Sequence, residues 1–139
     1  MTIIGQPAFS QDVKGSYEVI VNKFFEIYKS GNSDKAVDYI FSTTKYIDKD
    51  TINQIKQRLK KVKALVGSYY GYEYINSKKI GDSVVCVSYL VKYERQPFRF
   101  RFIFYKPLND WILFSFTSDD EYDTELKEAT KISSFIENH

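Results

Sequence analysis

Residue types that carry out catalytic chemistry are sparse in this sequence. Its one histidine is His139, the last residue, where chains are usually poorly ordered. A histidine general base or a histidine-containing triad is therefore not expected. The one cysteine, Cys86, alternates with Val85 and Val87 in a strand-like run and suits a small buried hydrophobe. Without a second cysteine, an internal disulfide and a cysteine-based zinc site are excluded.

Carboxylates are the remaining candidates for acid–base chemistry. Glu26, Asp38 and Glu73 fall on predicted helices and on a tyrosine-rich strand. A carboxylate buried beside tyrosines can act as a general acid or base, but acidic side chains usually face water. We therefore assign no catalytic residue. The acidic run from Ser118 to Glu125 lacks the spacing of a calcium loop and suits the first turn of a helix, so we predict no metal and no cofactor.

Tyrosines and arginines are the candidates for ligand binding. Small-molecule sites are usually aromatic pockets with a few polar groups, and tyrosine hydroxyls can orient a ligand in them. The candidate ligand-binding residues are Tyr28, Tyr39, Tyr70, Tyr72, Arg99 and Arg101. The alternative is that these tyrosines occupy ordinary half-buried positions.

The segment FRFRFIFY, Phe98–Tyr105, alternates phenylalanine with arginine and admits two arrangements. In the first, the phenylalanines pack under helices while Arg99 and Arg101 lie outside, either exposed or paired across strands with a residue such as Glu73 or Glu94. In the second, the arginines point inward and bind an anionic ligand. The first is favoured, because a buried unpaired guanidinium costs several kcal/mol.

Charge argues against a nucleic-acid partner, and the length of the apolar runs argues against a membrane span. The net charge is +2, which creates no strong field for nucleic acid. The basic run KQRLKKVK, Lys56–Lys63, lies between the apolar positions Ile55, Leu59 and Val62, so it reads as the solvated side of a helix. No apolar run approaches the ~20 residues that a membrane helix requires.

Hydrophobic spacing predicts three helices in the first half of the chain. Apolar residues recur every three or four positions over Tyr17–Tyr28, with Ser16 as N-cap and Gly31 as the stop. A short second helix follows, capped by Ser33. A third begins near Asp50 and carries a regular amphipathic pattern.

After Gly67 the apolar period becomes two, which predicts β-strands. Tyr70, Tyr72 and Tyr74 are expected to share one face of the first strand. Short turns make the successive strands antiparallel neighbours. The three strands that follow the first are expected at Val85–Tyr93, Phe98–Tyr105 and Trp111–Thr117. Ser118 and Glu121 then form a capping-box pattern that predicts a last helix.

The predicted fold class is α+β: three N-terminal helices packed on a curved four-stranded antiparallel meander, plus a C-terminal helix. Residues 16–139 are expected to form one domain. Residues 1–15 are expected to be a disordered N-terminus or the remnant of a signal peptide, because AFS before Gln11 resembles a signal-peptidase site. We therefore expect a periplasmic or secreted protein; the alternative is a frayed N-terminus of a cytoplasmic protein.

This element order resembles the NTF2-like, cystatin-like superfamily, and more narrowly small bacterial families of unknown function with that fold. The similar segments are YKSGNSDKAVDYI, Tyr28–Ile40, with its break between two helices, and NDWILFSF, Asn109–Phe116, with its turn before a tryptophan-bearing strand. The resemblance covers about Tyr17 to Thr117. It implies a cone-shaped space between helices and sheet that often forms a pocket.

Function is expected to lie in that cone or on the sheet. The leading hypothesis is a non-enzymatic domain that binds a small molecule or a protein partner. The alternative is a pocket enzyme of isomerase, dehydratase or hydrolase type that uses Tyr and Asp or Glu without histidine.

The last strand is apolar on both faces, at Trp111 and Leu113 and at Ile112, Phe114 and Phe116. A last helix or a homodimer through the sheet is expected to cover the second face.

Overall fold

Three helices open the described part of the chain, and each begins at a side-chain cap. The computed structural model describes residues 16–122 and 126–127. The side chains of Ser16, Asn32 and Asp48 accept hydrogen bonds from backbone N–H groups of the first turns, which satisfies donors that helices leave open. The helices are α1 (Tyr17–Lys29), α2 (Ser33–Phe41) and α3 (Lys49–Val66).

Four strands follow the helices and form one antiparallel sheet. Their spatial order is the chain order, β1-β2-β3-β4, as the short turns predict. The fold is therefore α+β, with three helices before a four-stranded meander, which confirms this part of the prediction. The strands are β1 (Tyr69–Ile80), β2 (Val84–Tyr93), β3 (Pro97–Tyr105) and β4 (Ile112–Asp119).

Aromatic rings fill the space between α1 and the sheet. The β3 phenylalanines Phe100, Phe102 and Phe104 are fully buried on the face toward the helices, here called the inner face. The ring of Phe24 on α1 lies 5.4 Å from that of Phe102 and 5.8 Å from that of Phe116. The inner face of β2 adds Val85, Val87, Tyr89, Val91 and Tyr93. This is the first of the two arrangements considered for FRFRFIFY.

Three extra residues interrupt the strand ladders and change which side chains share a face. Tyr70 and Ile75 are the extra residues of β1 against β2, and Phe114 is the extra residue of β4 against β3. A β-bulge of this kind resets the alternation of side chains. The predicted common face therefore holds for Tyr72 and Tyr74, which lie opposite Val91 and Tyr89, but Tyr70 leaves the ladder. In β4 the bulge lets Leu113 and Phe116 both point inward, while Phe114 is 65% exposed.

The end of β4 also differs from the sequence prediction. Ser118, predicted as the cap of a last helix, is a strand residue opposite Phe100. Its hydroxyl and carbonyl oxygens both accept hydrogen bonds from Nε of Arg58, which ties α3 to β4. Most of the predicted C-terminal helix, and the whole N-terminal segment 1–15, lie outside the described residues. Within those residues, no helix is both long and apolar enough to cross a membrane.

Candidate functional site

The interior, where the superfamily resemblance places a pocket, is occupied by packed side chains. Tyr28 is 5% exposed, and its hydroxyl forms a hydrogen bond with that of Tyr93. Burial raises the pKa of both hydroxyls, so both stay protonated at neutral pH. Phe24 stacks on the ring of Tyr28 at 5.8 Å. Tyr28 therefore belongs to the core, and its hydroxyl is already bound.

The carboxylates considered for acid–base chemistry lie on the surface. Asp38 contacts Lys56 at 2.6 Å and its side chain is 60% exposed. Glu73 contacts Lys92 at 3.6 Å and is equally exposed. Glu26 is exposed on α1. Within residues 16–122 and 126–127, no group of three acidic, histidine or cysteine side chains is placed to hold a metal ion.

A surface groove between α1 and β1 brings candidate binding groups together. Its volume is about 410 Å³, and we call it the Tyr70 groove. α1 supplies polar and charged side chains, and β1 supplies aromatic rings. Its lining residues are Asn22, Phe25, Glu26, Lys29, Tyr69, Tyr70, Gly71 and Tyr72.

The floor of the Tyr70 groove is held by one stacked pair and one hydrogen bond. The rings of Phe25 and Tyr72 stack at 3.9 Å with an angle of 11°. The Tyr72 hydroxyl donates a hydrogen bond of 3.0 Å to Oδ1 of Asn22. Because this bond uses the amide oxygen, the Nδ2 hydrogens of Asn22 are left as donors. Burial raises the pKa of Tyr72 and raises that of Tyr69 to about 12, so both rings are neutral near pH 7.

Local sequence explains why these groups meet. Asn22, Glu26 and Lys29 are spaced by four and three residues, so they share one face of α1. Gly71 follows the extra residue Tyr70 and has a φ of 145°, a conformation that suits glycine. The bulge leaves Tyr70 outside the ladder, and its ring is 65% exposed. The groove therefore combines the polar face of a helix with an exposed ring.

The other predicted ligand residues lie elsewhere. Tyr39 is partly buried against the core, and burial raises its pKa. Arg99 and Arg101 lie on the sheet face opposite the phenylalanines, here called the outer face. Arg99 is 6% exposed and binds Asp119, rather than the predicted Glu73 or Glu94. Of the six predicted residues, the structure brings only Tyr70 and Tyr72 together in the groove.

Asn22 and Lys29 line the groove but are not among the predicted ligand-binding residues. Their signal was available, since they lie with Glu26 on the polar side of α1. The sequence does not show which strand lies beside the polar side of α1. No family model matches the sequence, and neither curated proteins nor solved structures give a match.

Proposed function

We propose that this chain is a non-catalytic binding domain whose ligand lies in the Tyr70 groove. The observation that carries the proposal is a contrast between interior and surface. Rings from α1, β2 and β3 fill the cone, whereas the groove offers space beside an exposed ring and three polar side chains. The proposed site is thus on the surface and not in the expected cone. The ligand is a small molecule or a segment of a protein partner.

The groove favours a ligand that carries a flat or ring-shaped apolar part and hydrogen-bonding groups. Its volume of about 410 Å³ falls in the range of small-molecule sites. The Tyr70 ring supplies an apolar surface on which a ring can stack. Nδ2 of Asn22 and the ammonium of Lys29 donate hydrogen bonds, and the Glu26 carboxylate accepts them. Donors and acceptors on one helix face suit a ligand with hydroxyl or amide groups.

The second candidate function is a histidine-free enzyme that uses the same groove. Glu26 lines the groove with Tyr70 and Tyr72, which is the Tyr and Glu combination expected of such an enzyme. General acid–base catalysis favours a carboxylate shielded from water, and Glu26 is exposed. The binding function is therefore the better supported of the two.

Two broader proposals concern family and location. The order of three helices before a four-stranded meander supports membership of the NTF2-like superfamily, with a last helix after β4. The small-x-small pattern AFS supports export to the periplasm or beyond. Microsequencing of the protein from its own cells would test export, since a mature chain that begins at or near Gln11 is expected.

The binding proposal is tested by titrating ¹⁵N-labelled protein with a set of sugars, aromatic acids and short peptides. We expect the amide signals of Asn22 and Gly71 to shift, and Tyr70→Ala to weaken that response. The control is Tyr46→Ala, which removes a ring that is 77% exposed outside the Tyr70 groove. Shifts confined to other regions, or equal binding by the Tyr70→Ala variant, would reject the groove.

A further inference from the structure

The first strand of the sheet presents an open edge with an unusual set of side chains. β1 is an edge strand in the described sheet, hydrogen-bonded to β2 on one side. Such an edge carries unpaired backbone N–H and C=O groups that can pair with another strand. Three large side chains along it are exposed, with fractions of 65% for Tyr70, 60% for Tyr74 and 74% for Ile80.

The bulge at Ile75 places two opposite charges of β1 on one face. Glu73 faces Leu90 of β2 and Lys78 faces Cys86, and these two β2 residues are four positions apart. Side chains alternate along a strand, so Glu73 and Lys78 lie on the same face although five positions separate them. In a regular strand they would lie on opposite faces.

We propose that a second copy of this chain pairs with β1 around a two-fold axis, antiparallel, with Glu73 opposite the partner's Lys78. In this register the axis passes between Ile75 and Asn76, and each copy offers the same segment. A two-fold axis repeats each contact between the copies, so the dimer contains two Glu73–Lys78 pairs. Residues directly opposite in an antiparallel pair share a face, and the bulge is what makes these two charges match.

The same register also matches the side chains farther from the axis. Ile80 comes opposite the partner's Gly71, which has no side chain of its own, so the exposed isoleucine can pack against the aliphatic part of the Lys92 side chain beside that glycine. Lys92 lies beside Gly71 in each copy: a Cβ added to Gly71 would lie 3.4 Å from Cε of Lys92. On the inner-face side, Tyr72 comes opposite the partner's Lys79. Because the pairing is two-fold symmetric, the match of Ile80 with Gly71 recurs at both ends of the paired segment.

Lysines on the edge give this pairing its selectivity. Edge lysines normally oppose addition of a foreign strand, because they would be brought against apolar or basic neighbours. In the proposed register Lys78 instead meets a carboxylate. Glu73 remains accessible for it, since its contact with Lys92 is 3.6 Å and its side chain is 60% exposed.

The test is sedimentation velocity of the full chain over a concentration series. We expect a monomer–dimer equilibrium, and we expect Glu73→Lys and Lys78→Glu each to raise the dissociation constant roughly tenfold or more, because each reversal affects two pairs. The double reversal, Glu73→Lys with Lys78→Glu, should restore the dimer. The control is Asp110→Lys, which makes the same charge change as Glu73→Lys at an exposed turn.

Two results would overturn the proposal: a monomer at every concentration, or a dimer that withstands both single reversals. The proposal goes beyond the binding function and does not depend on it, although both involve β1. Oligomeric state is measured without ligand. Titration of the ¹⁵N-labelled Lys78→Glu variant with the same sugars, aromatic acids and peptides then tests the Tyr70 groove in the monomer. Failure of one proposal is therefore seen separately from failure of the other.

Discussion

Arg99 and Asp119 form a two-bond pair across β3 and β4. Nε of Arg99 lies 3.1 Å from Oδ1 of Asp119, and Nη2 lies 3.1 Å from Oδ2. Burial alone would raise the pKa of Asp119. The hydrogen bonds from Arg99 and the Glu121 N–H, with the charges of Arg99 and Arg101, outweigh burial, so the pKa of Asp119 lies below its ordinary value. The arginine is therefore held by the strand beside it.

Loss of this carboxylate should destabilise the protein. Asp119→Ala removes the acceptor for two N–H groups of a guanidinium whose side chain is 7% exposed. Removing one partner of a buried charge pair is costly, so we expect the free energy of unfolding to fall by about 2 to 3 kcal/mol. Urea denaturation measures this loss. The matched control is Asp38→Ala, which removes the exposed Lys56–Asp38 pair and should cost less than about 1 kcal/mol. If both variants lost the same free energy of unfolding, the Arg99–Asp119 pair would contribute no more than an exposed ion pair.

The Arg99–Asp119 pair should also make the protein less stable as the pH falls into the acid range. The unfolded chain has an aspartate pKa of about 3.9, and the folded protein a lower one. The stability from the pair is therefore present above about pH 4 and is lost as the pH falls through the folded-state pKa. We expect the urea midpoint of the wild type to fall more steeply below about pH 4 than that of Asp119→Asn. Asp110→Asn controls for the loss of one charge; acid slopes that match between the wild type and Asp119→Asn would contradict the prediction.

The filled interior predicts a large cost for truncating α1. Phe24 is fully buried and its ring meets those of Tyr28, Phe102 and Phe116. Phe24→Ala should lower the free energy of unfolding by about 3 to 5 kcal/mol. The cavity it leaves is lined by rings, so benzene should raise the melting temperature of the variant but not that of the wild type. If benzene also raised the melting temperature of the wild type, its interior would contain open space, which would contradict the prediction.

The buried hydroxyl pair of Tyr28 and Tyr93 should behave as one unit. Tyr28→Phe leaves the Tyr93 hydroxyl without this partner, and we expect a loss of about 1 to 2 kcal/mol in the free energy of unfolding. Tyr93→Phe should cost a similar amount for the same reason. The double variant removes both polar groups, so its loss should be smaller than the sum of the two single losses. Strict additivity in urea denaturation would mean that the two hydroxyls do not interact.

Gly67, which ends α3, should resist substitution more than Gly31, which follows α1. Both have positive φ, 88° and 92°. A Cβ on Gly67 would lie 2.7 Å from Oε1 and 2.9 Å from Cβ of Glu94, whereas one on Gly31 meets nothing within 4 Å among the described residues. We expect Gly31→Ala to cost about 1 kcal/mol for its backbone alone, and Gly67→Ala about 3 kcal/mol, since strain and a clash combine. If the two substitutions lowered the melting temperature equally, the contact with Glu94 would not contribute to the cost at Gly67.

Local order along the chain was predictable from residue types. Ser16 caps α1 as predicted, whereas Asn32 rather than the predicted Ser33 caps α2. The apolar spacing identifies the three helices, because periodicity acts between residues a few positions apart. The change of period after Gly67 predicts the strands, and short turns predict their order. The filled phenylalanine face of β3 follows from the same alternation. The candidate site was predicted only at Tyr70 and Tyr72.

Residue types and their spacing along the chain are enough to predict the α+β class, the helices and the inward face of β3, since these depend on residues close together in the chain. The positions at which Tyr70, Ile75 and Phe114 leave the ladder come from the tertiary structure, because a bulge depends on how one whole strand pairs with its neighbour and not on residues a few positions apart. The bulge at Tyr70 leaves its ring exposed beside α1. The partner of Arg99 was likewise decided across strands, where Asp119 lies 20 positions away. Packing between distant elements therefore placed the candidate site.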